Sequence, residues 1–271
     1  SDKNLDGVPF KYQREEILLH HNRSGIITFS WHPRNPANDQ DAWNTQGEPV
    51  RKILPGGELN EKFKGWLNLL IDYFKTIKDQ QGQPIPFIFR PWHEMNGGWF
   101  WWGNSACTTD EYKSLYTYTY NYITSVGQLN NILWAYSPNA GSNSEQDFMK
   151  YFPEGDFIKM IGSDIYYVAL PSIYTYLLKT EFSIMNGIAQ SRNILFSLTE
   201  FGYRSIDLPK FYTEIVWPAV KDFKLSYMLT WRNAYQRKDE VFGTYPGRCD
   251  EKDFIQFIEK SEILMLNDLM S

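Results

Sequence analysis

The sequence predicts an α/β protein of the (β/α)8 TIM-barrel class, and three observations lead to this prediction. Short apolar runs alternate with longer amphipathic stretches, as expected of a parallel sheet covered by helices. No glycine-rich turn follows the first run, GIITFSWHP, although a doubly wound nucleotide-binding fold would place one there. A polar or aromatic residue instead ends nearly every run, and the C-terminal face of a barrel would gather such residues.

Each strand candidate is short, largely apolar and bounded by turn or polar residues. The six candidates are Gly25–Trp31, Pro86–Trp92, Asn131–Ser137, Met160–Tyr166, Ile194–Glu200 and Leu225–Trp231.

The helix candidates carry apolar residues at spacings of three and four, or a typical first turn. Thr108 and Glu111 form a capping box, and Pro171 and Pro209 each suit the start of a helix. The predicted helices are Lys11–Arg23, Glu58–Lys78, Tyr112–Val126, Ser172–Ala189, Pro209–Val220 and Asp250–Leu269.

The strand count falls two short of a closed barrel, and the chain opens on a helix. We expect two β/α units to precede Ser1, and residues 1–271 to form a single, N-terminally incomplete catalytic domain. The alternative is that two strands escape detection, one of them within the long loop Pro33–Gly57.

Composition and charge narrow the classes of partner. The net charge is -5 without a basic stripe, which argues against nucleic acid. No apolar run approaches the roughly 18 residues of a membrane span. Aromatic residues make up 17% of the chain, and flat aromatic rings suit either a large core or the apolar faces of sugars.

Cys107 and Cys249 fit no metal pattern, and their spacing leaves a disulfide and two free thiols equally open.

Glu94 and Glu200 are the candidate catalytic residues, because each follows an apolar strand and precedes a glycine-containing loop. Cleavage of a glycosidic bond usually requires two carboxyl groups, about 5–5.5 Å apart in a retaining enzyme. The alternative interpretation is that each is a buried acid paired with an arginine, for which Arg90 and Arg232 are available.

The sequence argues against a metal or a cofactor. His93 and Glu94 open an H-E-M-N-G run without the second histidine of a zinc motif, and the four histidines form no ligand set. The tryptophans Trp99, Trp101, Trp102 and Trp231 lie at strand ends or in the following loops, where sugar contact or support of a site is expected. Trp92 is as consistent with a core as with a binding role.

These runs together resemble glycoside hydrolase family 26, chiefly its β-mannanases. The quoted runs are GIITFSWHPRNP, RPWHEMNGGWFWWG, SDIYY, SLTEFGY and MLTWRNA. The resemblance implies a (β/α)8 barrel of which this chain shows strands 3 to 8. It also implies that Glu94 is the acid/base and Glu200 the nucleophile of a retaining reaction.

The same resemblance implies roles for the residues around these two glutamates. His93 matches a substrate-contacting histidine, Tyr166 a tyrosine that hydrogen-bonds the nucleophile, and Asp164 lies in the same run. Trp231 resembles the floor beneath the sugar at the cleavage point, and Arg232 an arginine that reaches the next sugar. His32 and Trp99 match positions in the walls of the site.

The expected function is hydrolysis of β-1,4-mannosidic bonds in mannan or manno-oligosaccharides by a two-glutamate double displacement. Glu200 must stay ionised, whereas Glu94 must hold a proton, which desolvation by the indoles would favour. Mixed-linkage glucan or β-1,3-xylan as substrate, and a catalytically silent carbohydrate-binding barrel, are the alternatives. The resemblance also implies an extracytoplasmic location.

Overall fold

The computed structural model describes residues 2–4, 7–168, 170–234, 237 and 239–270. The chain divides into two compact units, the first comprising Ser1–Pro138 and Met149–Lys159 and the second Asn139–Phe148 and Met160–Ser271. The expectation of a single domain over residues 1–271 stays a prediction.

All six predicted strands are present, and most are shorter than the apolar runs that predicted them. They are β1 Thr28–Trp31, β2 Phe87–Pro91, β3 Ile132–Tyr136, β4 Ile158–Tyr166, β5 Leu195–Gly202 and β6 Met228–Thr230. The α-helices are α1 Phe10–Asn22, α2 Pro49–Ile53, α3 Asn60–Lys75, α4 Thr109–Ser125, α5 Glu145–Met149, α6 Pro171–Arg192, α7 Trp217–Val220 and α8 Glu251–Ile258.

In the first unit β1, β2 and β3 lie side by side and run parallel. Thr28 of β1 is opposite Ile88 of β2, and Phe87 of β2 is opposite Ile132 of β3. Strand β2 is buried along its whole length, as expected for a central parallel strand. The first strand begins three residues later than predicted because the N–H of Gly25 still bonds the His20 carbonyl at the end of α1.

In the second unit β5 lies between β4 and β6, and both pairs are parallel. A register irregularity between Ser163 and Asp164 brings Asp164 opposite Glu200. Strand β5 continues two residues beyond Glu200, to Gly202. Acidic and aromatic side chains therefore gather at one end of these strands.

Two predicted helix signals are confirmed at the start of their helices. The Thr108 hydroxyl accepts the Glu111 N–H, and the Glu111 carboxylate accepts the Thr108 N–H in return, which satisfies two end donors of α4. Pro171 opens α6, where its missing N–H leaves no helical bond unmade.

The helix predicted over Pro209–Val220 is wrong in type. A π-helix spans Phe211–Val216 and α7 follows it. The carboxylate of Asp253, from α8, accepts the N–H groups of Tyr212 and Thr213 at 2.7 and 3.1 Å. Asp253 therefore supplies the hydrogen-bond acceptor for N–H groups at the N-terminal turn of the π-helix. The sequence around that turn gives no sign of this partner.

The helix predicted over Asp250–Leu269 is also wrong in length. Helix α8 ends at Ile258, and a separate 3₁₀-helix covers Leu266–Met270. The ammonium group of Lys260 lies 4.8 Å from the Trp217 ring centre, just after α8 ends.

The loop Pro33–Gly57 contains the short helix α2 and, within these fully described residues, no strand. Buried Asn35 organises it: its side-chain amide donates to the carbonyls of Asn44 and Gln46 at 2.6 and 2.9 Å, and its side-chain oxygen accepts the Ala37 N–H. These bonds fix the loop segment that carries Trp43.

Across the ranges that the structure describes, no helix is long and apolar enough to cross a bilayer.

Both cysteines are free thiols. Burial, reinforced by the Glu111 carboxylate, raises the pKa of Cys107 to about 12. Its sulfur lies 3.3 Å from the Trp102 carbonyl, whereas Cys249 is exposed.

We expect an aromatic disulfide reagent at pH 8 to label one thiol of the native protein quickly. Cys107 stays almost entirely protonated at that pH, and the thiolate is the reactive form. Cys249→Ser should remove the fast phase, and Cys107→Ser should leave it unchanged. Two fast thiols in the native protein, or none before reduction, would contradict the free and buried states described above.

Candidate active site

The backbone that carries Glu94 is held in an uncommon conformation. Trp92 and Glu94 both have left-handed φ angles, 57° and 56°, which cost roughly 1–3 kcal/mol each in residues other than glycine. The Glu94 N–H bonds the Ser137 carbonyl at 2.8 Å, and the Tyr112 hydroxyl donates to the Trp92 carbonyl at 2.9 Å. Bonds from two neighbouring elements thus hold the turn after β2 in place.

The Glu94 carboxyl group lies in a largely dry, aromatic setting. Only 8% of the residue is exposed, and the Trp99 indole N–H donates to its Oε2 at 2.7 Å. Trp99 itself remains 38% exposed and can still offer a ring face to a ligand.

An aromatic cluster includes the ring of His93, the residue before Glu94. Phe100 stacks on Trp102 with centroids 4.4 Å apart and lies 5.3 Å from the His93 ring. His32 meets His93 edge to face at 4.6 Å and stacks on Trp43 at 5.9 Å. The structure therefore brings His32, His93, Glu94 and Trp99 together within the first unit.

Trp43 and Phe100 are residues of this cluster that the sequence did not single out. Trp43 is 52% exposed although its ring stacks on His32. The position of Trp43 in the loop after β1 corresponds to that of Trp99 in the loop after β2, and this likeness could have identified it from the sequence. Phe100 had no such signal, because it lies within a run of indoles.

Trp101 and Trp102, for which sugar contact or support of the site was expected, lie in the core, as does Trp92, for which a core role was one of the two expectations. Trp92, Trp101 and Trp102 are fully buried. The indole N–H of Trp102 donates to the His93 carbonyl at 2.8 Å, and that of Trp101 to the Pro33 carbonyl at 2.9 Å. Trp101 and Trp102 therefore support the site from behind.

Burial favours the neutral form of the His93 imidazole. Burial lowers its pKa well below 6.5, and the positive charge of Arg90 and the ring of His32 act in the same direction. Its Nδ1 is buried and has no hydrogen-bond partner among the described residues. A ligand hydroxyl is the kind of group that would satisfy this nitrogen.

We expect the free energy of unfolding to fall as the pH drops below about 6.5, with His93 as one source. Unfolded chains protonate this histidine near pH 6.5, whereas the folded protein does so only at lower pH. Above pH 6.5 His93 is neutral in both states and does not change the free energy of unfolding with pH. Below pH 6.5 it lowers the free energy of unfolding by up to about 1.4 kcal/mol per pH unit.

Denaturant unfolding of His93→Gln between pH 5 and 7.5 measures this effect, with His20→Gln on exposed α1 as control. The slope of stability against pH should flatten in the first variant only. Equal slopes in wild type and His93→Gln would contradict a buried neutral imidazole.

The second unit holds the other candidate carboxylate. Glu200 is 3% exposed and accepts a hydrogen bond from the Tyr166 hydroxyl to Oε2 at 2.5 Å. Asp164, fully buried, accepts the Thr199 hydroxyl at 2.7 Å. The ends of β4 and β5 therefore join Asp164, Tyr166 and Glu200 in one polar group.

The remaining predicted residues follow β6. The Trp231 N–H bonds the Phe201 carbonyl at 2.9 Å, next to Glu200 along the chain. Arg232 forms an ion pair with Glu240 at 3.2 Å, and its guanidinium lies 5.9 Å from the Trp231 ring centre.

A buried glutamate that the sequence did not reveal holds the loop beside Asp164. Glu181 on α6 accepts the N–H groups of Gly141 and Ser142, both at 2.7 Å, and burial raises its pKa. The neighbouring Ala140 N–H donates to the Asp164 carbonyl at 3.1 Å. A glutamate within an amphipathic helix resembles a solvated residue, so the sequence carried no signal for this role.

The sequence model described as glycosyl hydrolase family 26 matches residues 11–240. The chain belongs to glycosyl hydrolase family 26. A solved family 26 β-mannanase from Bacteroides ovatus is 33% identical, with a TM-score of 0.95 over 99% of this chain and 78% of that one. The catalytic domain of a Bacillus endo-β-1,4-mannanase is 29% identical, with a TM-score of 0.89 over 96% and 72% of the two chains. The fold is therefore α/β and TIM-barrel-like.

A mannan endo-1,4-β-mannosidase of Bifidobacterium adolescentis is 29% identical over 98% of this chain. Another, from Bacillus subtilis, is 30% identical over 59% of it. The chain spans 28% of the length of the first relative and 45% of the second. The family 26 match includes every candidate residue from His32 to Arg232.

Proposed function

We propose that this family 26 chain hydrolyses β-1,4-mannosidic bonds with retention of configuration, with Glu200 as nucleophile and Glu94 as acid/base. The observation that carries the proposal is its likeness, over 98% of its residues, to a protein named mannan endo-1,4-β-mannosidase. No cofactor takes part in the proposed reaction.

The proposed reaction has two displacements. Glu200 attacks the anomeric carbon as Glu94 gives its proton to the departing glycosidic oxygen, and a covalent mannosyl-enzyme forms. Glu94, now ionised, then takes a proton from water, which attacks the same carbon and releases the sugar.

The surroundings of the two carboxyl groups support these opposite roles. Tyr166 donates to Glu200, and a hydrogen bond to the ionised form favours a carboxylate. The buried, aromatic surroundings of Glu94 favour a neutral carboxylic acid, whereas the hydrogen bond from the Trp99 indole N–H to Oε2 acts in the opposite direction.

We propose that the flat rings around Glu94 bind the sugar chain. The half-exposed rings of Trp43 and Trp99 offer apolar faces to pyranose rings, while His32 and His93 offer ring nitrogens to hydroxyl groups. In the second unit, Asp164, Trp231 and Arg232 are the proposed sugar contacts.

Two finer proposals accompany this function. The six strands are proposed to be strands 3 to 8 of a (β/α)8 barrel, so β2 should superpose on the fourth strand of the Bacteroides ovatus structure and β5 on the seventh. An extracytoplasmic location is proposed, because a polysaccharide substrate is outside the cytoplasm.

The substrate is tested by incubating the protein with mannan, mixed-linkage β-glucan and β-1,3-xylan and measuring reducing ends. Mannan should be cleaved fastest, and proton NMR should show the β-anomer as the first product. Faster cleavage of either other glycan would transfer the proposal to that substrate. Binding to mannan without any cleavage would favour a silent carbohydrate-binding barrel.

A further inference from the structure

Phe242, in the segment after β6, contacts the tyrosine that bonds Glu200. Its ring centre lies 5.2 Å from that of Tyr166, edge to face, and the residue is 9% exposed. The Tyr166 phenol is rigid, so the position of its ring determines the position of its hydroxyl oxygen. A fixed ring at Phe242 therefore limits where that hydroxyl can lie.

The backbone on either side of Phe242 is held by long-range hydrogen bonds. Arg248 donates to the Phe242 carbonyl at 2.7 Å, and the Asn233 side-chain amide bonds both the N–H and the carbonyl of Gly243. Arg248 is itself anchored to the Tyr203 carbonyl at 3.1 Å and lies 3.6 Å from the Asp250 carboxylate. Hydrogen bonds thus hold the backbone of both Phe242 and Gly243.

Gly202, the last residue of β5, lets Phe242 approach the strand that carries Glu200. A Cβ at Gly202 would lie 3.0 Å from the Cβ of Phe242, and its φ of 142° also favours glycine. Gly202 is opposite Tyr166 in the pairing of β4 with β5. Phe242 therefore packs against Tyr166 and against the end of β5 at the same time.

We infer that Phe242 is a positioning residue for the nucleophile, because it fixes the Tyr166 phenol in the orientation that bonds Glu200. Arg248 and Asn233 hold Phe242 in that position. The inference rests on the proposed role of Glu200 and adds the residue that positions its hydrogen-bond donor, Tyr166.

The test compares Phe242→Leu, Tyr166→Phe and the double variant on mannan. Phe242→Leu should lower kcat about tenfold with little change in KM, since the effect is on the reacting group and not on sugar binding. The acid limb of its kcat/KM profile should move to higher pH, as in Tyr166→Phe, because the hydroxyl bond favours the carboxylate. In the Tyr166→Phe background, Phe242→Leu should cause no further loss.

Phe257→Leu is the matched control, since Phe257 is also buried in the same unit and packs on Tyr212 and Trp217. It should lower thermal stability without moving the pH profile. Additive losses in the double variant, or an unmoved acid limb in Phe242→Leu, would overturn the inference while leaving the proposed function intact.

A second measurement does not depend on turnover. With tyrosine labelled by ¹³C at Cζ, the resonance absent from Tyr166→Phe identifies Tyr166. It should shift in Phe242→Leu and stay in place in Phe257→Leu. A wild type inactive on every glycan would end the proposed function alone, whereas an unshifted resonance would end the inference alone.

Discussion

Glu200→Ala should reduce kcat/KM on mannan by on the order of 10⁴- to 10⁶-fold, because no other group would form the mannosyl-enzyme. The methyl group leaves a small space where the carboxylate was. Azide, a small anionic nucleophile, should enter that space and restore turnover of a dinitrophenyl β-mannobioside. The product should be the α-mannosyl azide, since one displacement replaces two.

Glu214→Ala is the matched control for this variant, because Glu214 is an exposed glutamate of the same unit. It should keep wild-type activity. Undiminished mannan cleavage by Glu200→Ala, or a β-azide from it, would show that another residue is the nucleophile.

Glu94→Ala should lose about 10²- to 10⁴-fold on mannan, the usual contribution of a general acid. On dinitrophenyl β-mannobioside the first step should remain fast, because that leaving group departs without a proton. The mannosyl-enzyme should then accumulate, giving a burst of phenolate followed by slow turnover. Azide should speed the second step and yield the β-mannosyl azide.

Glu61→Ala on α3 is the control, since Glu61 is exposed and pairs only with Lys64 at the surface in the contacts described. Equal losses by Glu94→Ala on mannan and on the activated glycoside would contradict an acid/base role. Trp99→Phe extends the test, because it removes the indole N–H that bonds Glu94 and retains an aromatic ring.

The positions of the strands could be predicted because each strand is a short apolar run, and burial on both faces of a parallel sheet requires such runs. The strand ends were less predictable. Strand β2 stops at Pro91 because Trp92 adopts a left-handed conformation. Its hydrogen bonds to Tyr112 and Thr119 hold that conformation, and neither partner is a neighbour in the sequence. The first-turn signals of α4 and α6 were reliable because the atoms involved are neighbours in the chain.

Elements that depend on distant partners were missed or misjudged. The π-helix takes two of its bonds from Asp253, and the Ile215 carbonyl accepts a bond from Thr175 on α6. The short helix α2 is held to α3 by the bond from the Asn60 side chain to the Ile53 carbonyl. Asp253 and Thr175 lie about 40 residues from their partners in the sequence, and Asn60 belongs to the next helix, so periodicity could not reveal these bonds.

By itself the sequence determined the alternation of strands and helices, the capped helix starts, and the two glutamates that follow apolar strands. These features depend on neighbouring residues and on the burial of apolar runs, both of which are written along the chain. Only the tertiary structure decided which tryptophans are buried and which are exposed, and that Phe242 packs on Tyr166. The hydrogen bond from Tyr166 to Glu200, which the family resemblance implied, is present in the structure. Burial and hydrogen bonding between residues far apart in sequence arise when the chain folds back on itself, so spacing alone does not encode them.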